Sequence, residues 1–98
     1  MEELSKYREM IDRIDSEIAS LFEERMHTVK EIALVKKEKG LPVFDRNREA
    51  EMLKREREKI QDPELRDHYT EFLQALMDIS KKYQTEISDL KPEAAESL

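Results

Sequence analysis

Eight polar residues stand out by type and spacing: Arg8, Arg25, Lys36, Asp45, Arg48, Glu49, Ser80 and Gln84. Arg25 follows Leu4, Ile11 and Ile18 at seven-residue steps and precedes Ile32, so it holds a position where an apolar side chain belongs. Charge there is costly unless it is paired. Lys36 lies four residues after Ile32 and seven after Val29. At about 100° per residue it sits only about 20° around the helix axis from Arg25, and the two cations share a face. Ser80 and Gln84, one turn apart, continue a stripe set by Tyr69, Leu73 and Leu76/Met77, which turns two polar groups toward a bundle interior. The set is rich in fixed positive donors, includes a neutral amide, and pairs no nucleophile with a base. It suits a small anionic ligand.

Taken singly, each residue also has an ordinary structural reading. Arg25 can snorkel or pair with a core Glu. Lys36 opens the run KKEK near a helix C-terminus, where Lys is common. Asp45 is a good N-cap and Glu49 a first-turn acid beside the helix dipole. Ser80 and Gln84 fit a polar fade-out of the last helix, and Arg8 fits a surface position. Arg46, Asn47, Arg55 and Arg57 belong with the solvated face, and His27 and His68 with the surface. Only the combination points to a site.

The elements that must position these residues are helical. Glycine occurs once, prolines stand only at 42, 63 and 92, and Glu, Lys, Arg, Leu, Met and Ala dominate. These breakers divide the chain into segments at roughly 2–39, 46–61 and 63–88, followed by a polar tail. In the first, Leu4, Tyr7, Ile11, Ile14, Ile18, Leu21, Phe22, Val29, Ile32 and Val35 recur at steps of three and four, the mark of an amphipathic helix. Gly40 and Pro42 end it, and Asp45 caps the second. That second helix has a narrow stripe of Ala50, Leu53 and Ile60, with Glu51 and Arg55 at i,i+4 spacing. Tyr69, Phe72, Leu73, Leu76, Met77, Tyr83 and Ile87 mark the third. The expectation is an all-α fold with a long first helix, a short second and a medium third, over a domain at 1–88 with a flexible tail at 89–98.

Length argues for a second copy. A helix over 2–39 is roughly 55 Å long at 1.5 Å per residue, whereas a compact domain of this size has a radius of gyration of about 13 Å. Its stripe outruns anything two shorter helices can cover. The alternative is a bent or broken first helix, and an intertwined dimer is the stronger expectation. Arg8 adds a second hint. It precedes Arg25 by about 25 Å along the axis and lies about 100° around it, so one small ligand cannot be held by both from the same helix.

Composition narrows the partners. Hydrophobic residues are 38% and aromatic ones 6%, a thin supply for a self-sufficient core, which again favours oligomerisation. Cysteine is absent and the two histidines have no ligand spacing, so no disulfide and no metal site are expected. A net charge of −6 argues against nucleic acid or an anionic membrane as partner, while leaving room for a small anion. The start MEELSKYREM has acidic residues where a basic n-region would stand, and no run is long and apolar enough to span a bilayer. The expected location is cytoplasmic.

Order and spacing together are more specific than any single residue. The string YREMIDRIDSEIASLFEERMHTVKEIALVKKEKGLPVFDRNREAEML resembles the all-α chorismate mutase family. The family pattern is an Arg before an ID-x-x-D-type segment, an Arg seventeen residues later, a Lys eleven after that, and D-x-x-RE after a G-x-P-V turn. Here these are Arg8, Arg25, Lys36 and Asp45-Arg46-Asn47-Arg48-Glu49, with Ser80 and Gln84 matching the distal pair. The likeness runs over roughly residues 4–88 and departs at no site position. Arg57 on the weak second stripe is a departure that bears on stability.

The resemblance implies a domain-swapped homodimer in which Arg25, Lys36, Asp45, Glu49, Ser80 and Gln84 of one chain meet Arg8 of the other. It implies conversion of chorismate, a dianion, to prephenate by an intramolecular Claisen rearrangement, with no cofactor. By the same analogy Arg8 and Arg25 hold the carboxylates, and Lys36 and Gln84 donate to the ether oxygen. Glu49 and the backbone around Asp45 take the ring hydroxyl, Ser80 supports a carboxylate, and Arg48 stiffens the wall. Two other readings stand: an isochorismate–pyruvate lyase on the same fold, and a non-catalytic helical dimerisation module.

Overall fold

A computed structural model of the chain describes residues 1–89, and the regular elements among them are all helical. Helix α1 spans Glu2–Lys39, α2 Arg46–Arg57 and α3 Arg66–Ser88, with a 3₁₀ turn at Pro63–Leu65 before α3. The first helix is continuous over all 38 residues, so it is not broken. Acidic Glu2 and Glu3 in its first turn and Lys36, Lys37 and Lys39 in its last complement the helix dipole.

Gly40 ends α1 in the left-handed conformation, φ 67° and ψ 29°. The Leu41 amide donates to the Lys36 carbonyl (2.8 Å) and the Gly40 amide to that of Lys37 (3.3 Å), which satisfies two of the carbonyls a helix end leaves open. Asp45, extended at φ −131°, caps α2 by accepting from the Arg48 amide at 3.1 Å. The second helix stops at Arg57, four residues short of the sequence-based boundary. Pro63 forces Asp62 into an extended conformation (ψ 110°), and the chain before it tightens through hydrogen bonds donated by the Lys59 and Ile60 amides to the Glu56 and Arg57 carbonyls. Arg55 and Lys59 both turn to Glu56, at 3.4 and 2.9 Å. Arg57 donates to Asp67 at 2.7 Å and ties the end of α2 to the start of α3, which gives this cation a place despite its position on the apolar stripe.

The core is small. Val29 and Ala33 of α1 pack against Leu73, Met77 and Ile87 of α3, and Ser80 and Gln84 are buried in the same layer. Ala33 is wholly inaccessible, and its lack of a long side chain lets the two helices approach closely at this point. Every residue from 1 to 24 is exposed, including Leu4, Ile11, Ile14, Ile18 and Phe22. The radius of gyration is 17.3 Å and the long dimension 54 Å, against about 13 Å expected for a compact domain of this length. Apart from Asp89, the tail expected at 89–98 lies outside the described residues. No helix among the described residues is long and apolar enough to cross a membrane.

Candidate active site

The C-terminal half of α1, the 40–45 connection, the first turn of α2 and the middle of α3 enclose a cavity of about 590 Å³. That is within the usual range for a small-molecule site. Arg25, Lys36, Asp45, Arg48, Glu49, Ser80 and Gln84 all line it. Helix geometry explains the convergence: Arg25 and Lys36 share one face of α1, and Ser80 and Gln84, buried on the facing side of α3, lie opposite them.

Two cross-helix pairs form the floor. Arg25 donates through Nη1 to the Ser80 hydroxyl. That hydroxyl donates in turn to the Leu76 carbonyl at 2.8 Å, closer than the 4.0 Å to the Met26 sulfur, so its lone pairs remain for the guanidinium. Lys36 Nζ donates to Gln84 Oε1 and to the Val43 carbonyl, each at 3.0 Å. An ammonium has only donors, so it engages the amide oxygen and leaves the amide NH₂ of Gln84 as a donor. One Lys36 proton remains beyond these two bonds.

The partners that hold Arg25 and Lys36 are therefore neutral: a hydroxyl, an amide oxygen and a backbone carbonyl. The cavity's carboxylates are engaged elsewhere, Asp45 in capping α2 and Glu49 with Lys81 at 3.2 Å. Burial lowers the Arg25 pKa from its ordinary value, opposed in part by Tyr69. Five cations, Arg25, Lys36, Arg46, Arg48 and Lys81, line the cavity against the two carboxylates Asp45 and Glu49. A protein of net charge −6 thus carries a locally positive recess, the electrostatic requirement for an anion.

Arg8 is placed apart. It lies on the exposed N-terminal half of α1, seventeen residues or about 25 Å of helix before Arg25, and does not line the cavity. Arg46 and Asn47 are exposed as expected and also border the cavity rim. Lys81 and Phe44 were not singled out from the sequence, yet both line the recess, with the Lys81 ammonium 4.5 Å from the ring centre. The available signal was positional: Lys81 stands between Ser80 and Gln84 and is about 60° around the helix from the latter. Among the described residues no cluster of His, Asp and Glu is disposed to hold a metal ion.

The sequence profile described as chorismate mutase type II matches residues 7–85. The chain belongs to the chorismate mutase type II family. Among curated proteins it is 39% identical over 57 residues to the T-protein of Haemophilus influenzae, covering 58% of this chain and 15% of that one. Identity is 42% over 55 residues to the bifunctional chorismate mutase/prephenate dehydratase of Aquifex aeolicus, covering 56% and 15%. A chorismate mutase of Methanocaldococcus jannaschii is 39% identical over 49 residues, half of each chain. The chain thus spans half or less of the length of these three relatives. No solved structure gives a significant match.

Proposed function

We propose that this chain is a chorismate mutase, converting chorismate to prephenate by an intramolecular Claisen rearrangement. The observation that carries this reading is the pair of cations held by neutral partners in a cavity with no nucleophile–base pair. The reaction breaks a C–O bond as a C–C bond forms, so it requires neither proton transfer nor a covalent intermediate. The protein's contribution is to hold the enolpyruvyl side chain over the ring and to aim donors at the ether oxygen, where negative charge develops.

In this assignment Arg25 binds one substrate carboxylate, with Ser80 supporting it by orienting the guanidinium. The remaining Lys36 proton and the Gln84 amide NH₂ donate to the ether oxygen, Lys36 also touching a carboxylate. Glu49 and the backbone around Asp45 accept from the ring hydroxyl, and Arg48 stiffens that wall. Arg8 of a second copy binds the other carboxylate. A domain-swapped homodimer is supported by the uncovered apolar face of α1 and by a groove of about 510 Å³ between Ile18, Leu21 and Phe22 of α1 and Phe72, Leu76 and Ile79 of α3. Arg25 borders this groove as well as the polar cavity, so a helix seated there reaches the site.

The test is turnover of chorismate with product identification. Prephenate is expected, and release of pyruvate from isochorismate in its place would overturn the assignment in favour of a lyase. Arg25→Ala and Lys36→Ala should each lower kcat/KM by at least about a hundredfold with helicity by circular dichroism unchanged. No turnover in the wild-type protein, with self-association unchanged in both variants, would instead fit a dimerisation module. Mixing Arg8→Ala with Lys36→Ala subunits tests the shared site. Half the dimers are mixed and each regains one intact site, so recovery to about a quarter of wild-type activity is expected.

A further inference from the structure

We infer that Lys81 is a positioning residue for Glu49, locking its carboxylate into the cavity wall so that it accepts from the substrate's ring hydroxyl. This rests on the reading of the site as a chorismate mutase centre. Lys81 Nζ lies 3.2 and 3.3 Å from the two Glu49 oxygens and 3.3 Å from Asp78, and its charge stands 4.5 Å from the centre of the Phe44 ring. The contact joins the first turn of α2 to α3 at the cavity wall, between residues 32 positions apart in sequence.

Most surface ion pairs contribute little, because long exposed side chains lose entropy and water screens the charges. This pair differs in two respects. The Glu49 side chain is 18% exposed and that of Lys81 31%. The ammonium is also held by an aromatic face and a second carboxylate, which limits where it can point. Partial burial alone would lower the Lys81 pKa, but the hydrogen bonds to Glu49 and Asp78 outweigh it and raise the pKa, so the lysine stays charged at neutral pH.

The geometry leaves Glu49 free to act. A carboxylate offers about four lone-pair directions, and one ammonium approaching both oxygens leaves the others for a hydroxyl. Without Lys81, no ammonium holds the Glu49 carboxylate in this orientation, and it is free to swing away from the ring hydroxyl. Lys81 thereby fixes the hydroxyl acceptor in the cavity wall.

The decisive comparison uses Lys81→Met and Lys81→Arg with two substrates, chorismate and chorismate whose ring hydroxyl is capped as its methyl ether. Lys81→Met should lower kcat/KM on chorismate by about tenfold, while Lys81→Arg, which can still bridge to Glu49, should stay within about twofold. On the methyl ether, which has no proton to give Glu49, Lys81→Met should change kcat/KM by less than about twofold. In a Glu49→Ala background, with folding checked by circular dichroism, it should cause no further loss. Equal losses on both substrates, additive losses with Glu49→Ala, or no loss on chorismate would each overturn the inference. Failure of the wild-type protein to convert chorismate would instead overturn the functional reading on which it rests.

Discussion

At the residue scale, the proposed reaction uses Gln84 as a buried amide that serves a developing charge. It is 8% exposed, and its oxygen is occupied by Lys36, which leaves its NH₂ as a donor that has no proton to lose near neutrality. In the proposed reaction, kcat/KM should therefore be flat between pH 7 and 8. Gln84→Glu should replace the donor with a carboxyl that must be protonated to function, beside an ammonium that favours the ionised form. Its activity should rise as pH falls, and a pH–rate profile of the two proteins checks both statements. Loss of wild-type turnover between pH 7 and 8 would contradict the role. The same residue illustrates what was legible beforehand. Gln84 and Ser80 were visible as polar interruptions of an apolar stripe, whereas no spacing singled out Lys81. Its role depends on Glu49 and Phe44 meeting it across the fold, which no helical periodicity encodes.

At the scale of elements, the connection between α1 and α2 is both a stop signal and one side of the cavity. Gly40 at φ 67° ends α1, yet a Cβ placed there would meet no atom within 4 Å. The need for glycine is thus conformational and not steric crowding. Gly40→Ala should cost roughly 1–2 kcal/mol in stability through the left-handed backbone, read as a lower urea midpoint at fixed protein concentration. Because Val43 supplies the carbonyl that holds Lys36, the same variant should also weaken chorismate turnover. This stretch was readable from glycine, proline and an Asp N-cap, since each acts through its own backbone preferences. The end of α2 was less so. Its last turns are rich in Glu, Lys and Arg, all good helix formers, and the chain leaves the helix at Arg57 because the Asp62–Pro63 step and the Arg57–Asp67 pair draw it toward α3.

For the molecule as a whole, the N-terminal half of its longest helix is exposed among the described residues. Ile14, Ile18 and Phe22 are 38–48% exposed, although their spacing is that of a buried seam. A contiguous apolar face of this length on a thin-cored chain is the pattern of an obligate interface. In the proposed dimer, Ile18→Asp should abolish self-association and chorismate turnover together, because it removes the interface that delivers Arg8. Light scattering coupled to size exclusion, run beside the activity assay, checks this. A fully active monomer would sink the shared-site proposal.

The sequence by itself determined the three helices, their punctuation apart from the end of α2, and the family, because periodicity, capping and the spacing of Arg25, Lys36, Ser80 and Gln84 are properties of order along the chain. It also carried the mismatch between the length of α1 and the small core, since 1.5 Å per residue is independent of context. Only the tertiary structure decided which groups neutralise one another. Arg25 and Lys36 fall opposite neutral partners, while Glu49 falls opposite Lys81. Those pairings follow from how α1, α2 and α3 pack, and they leave the recess positive.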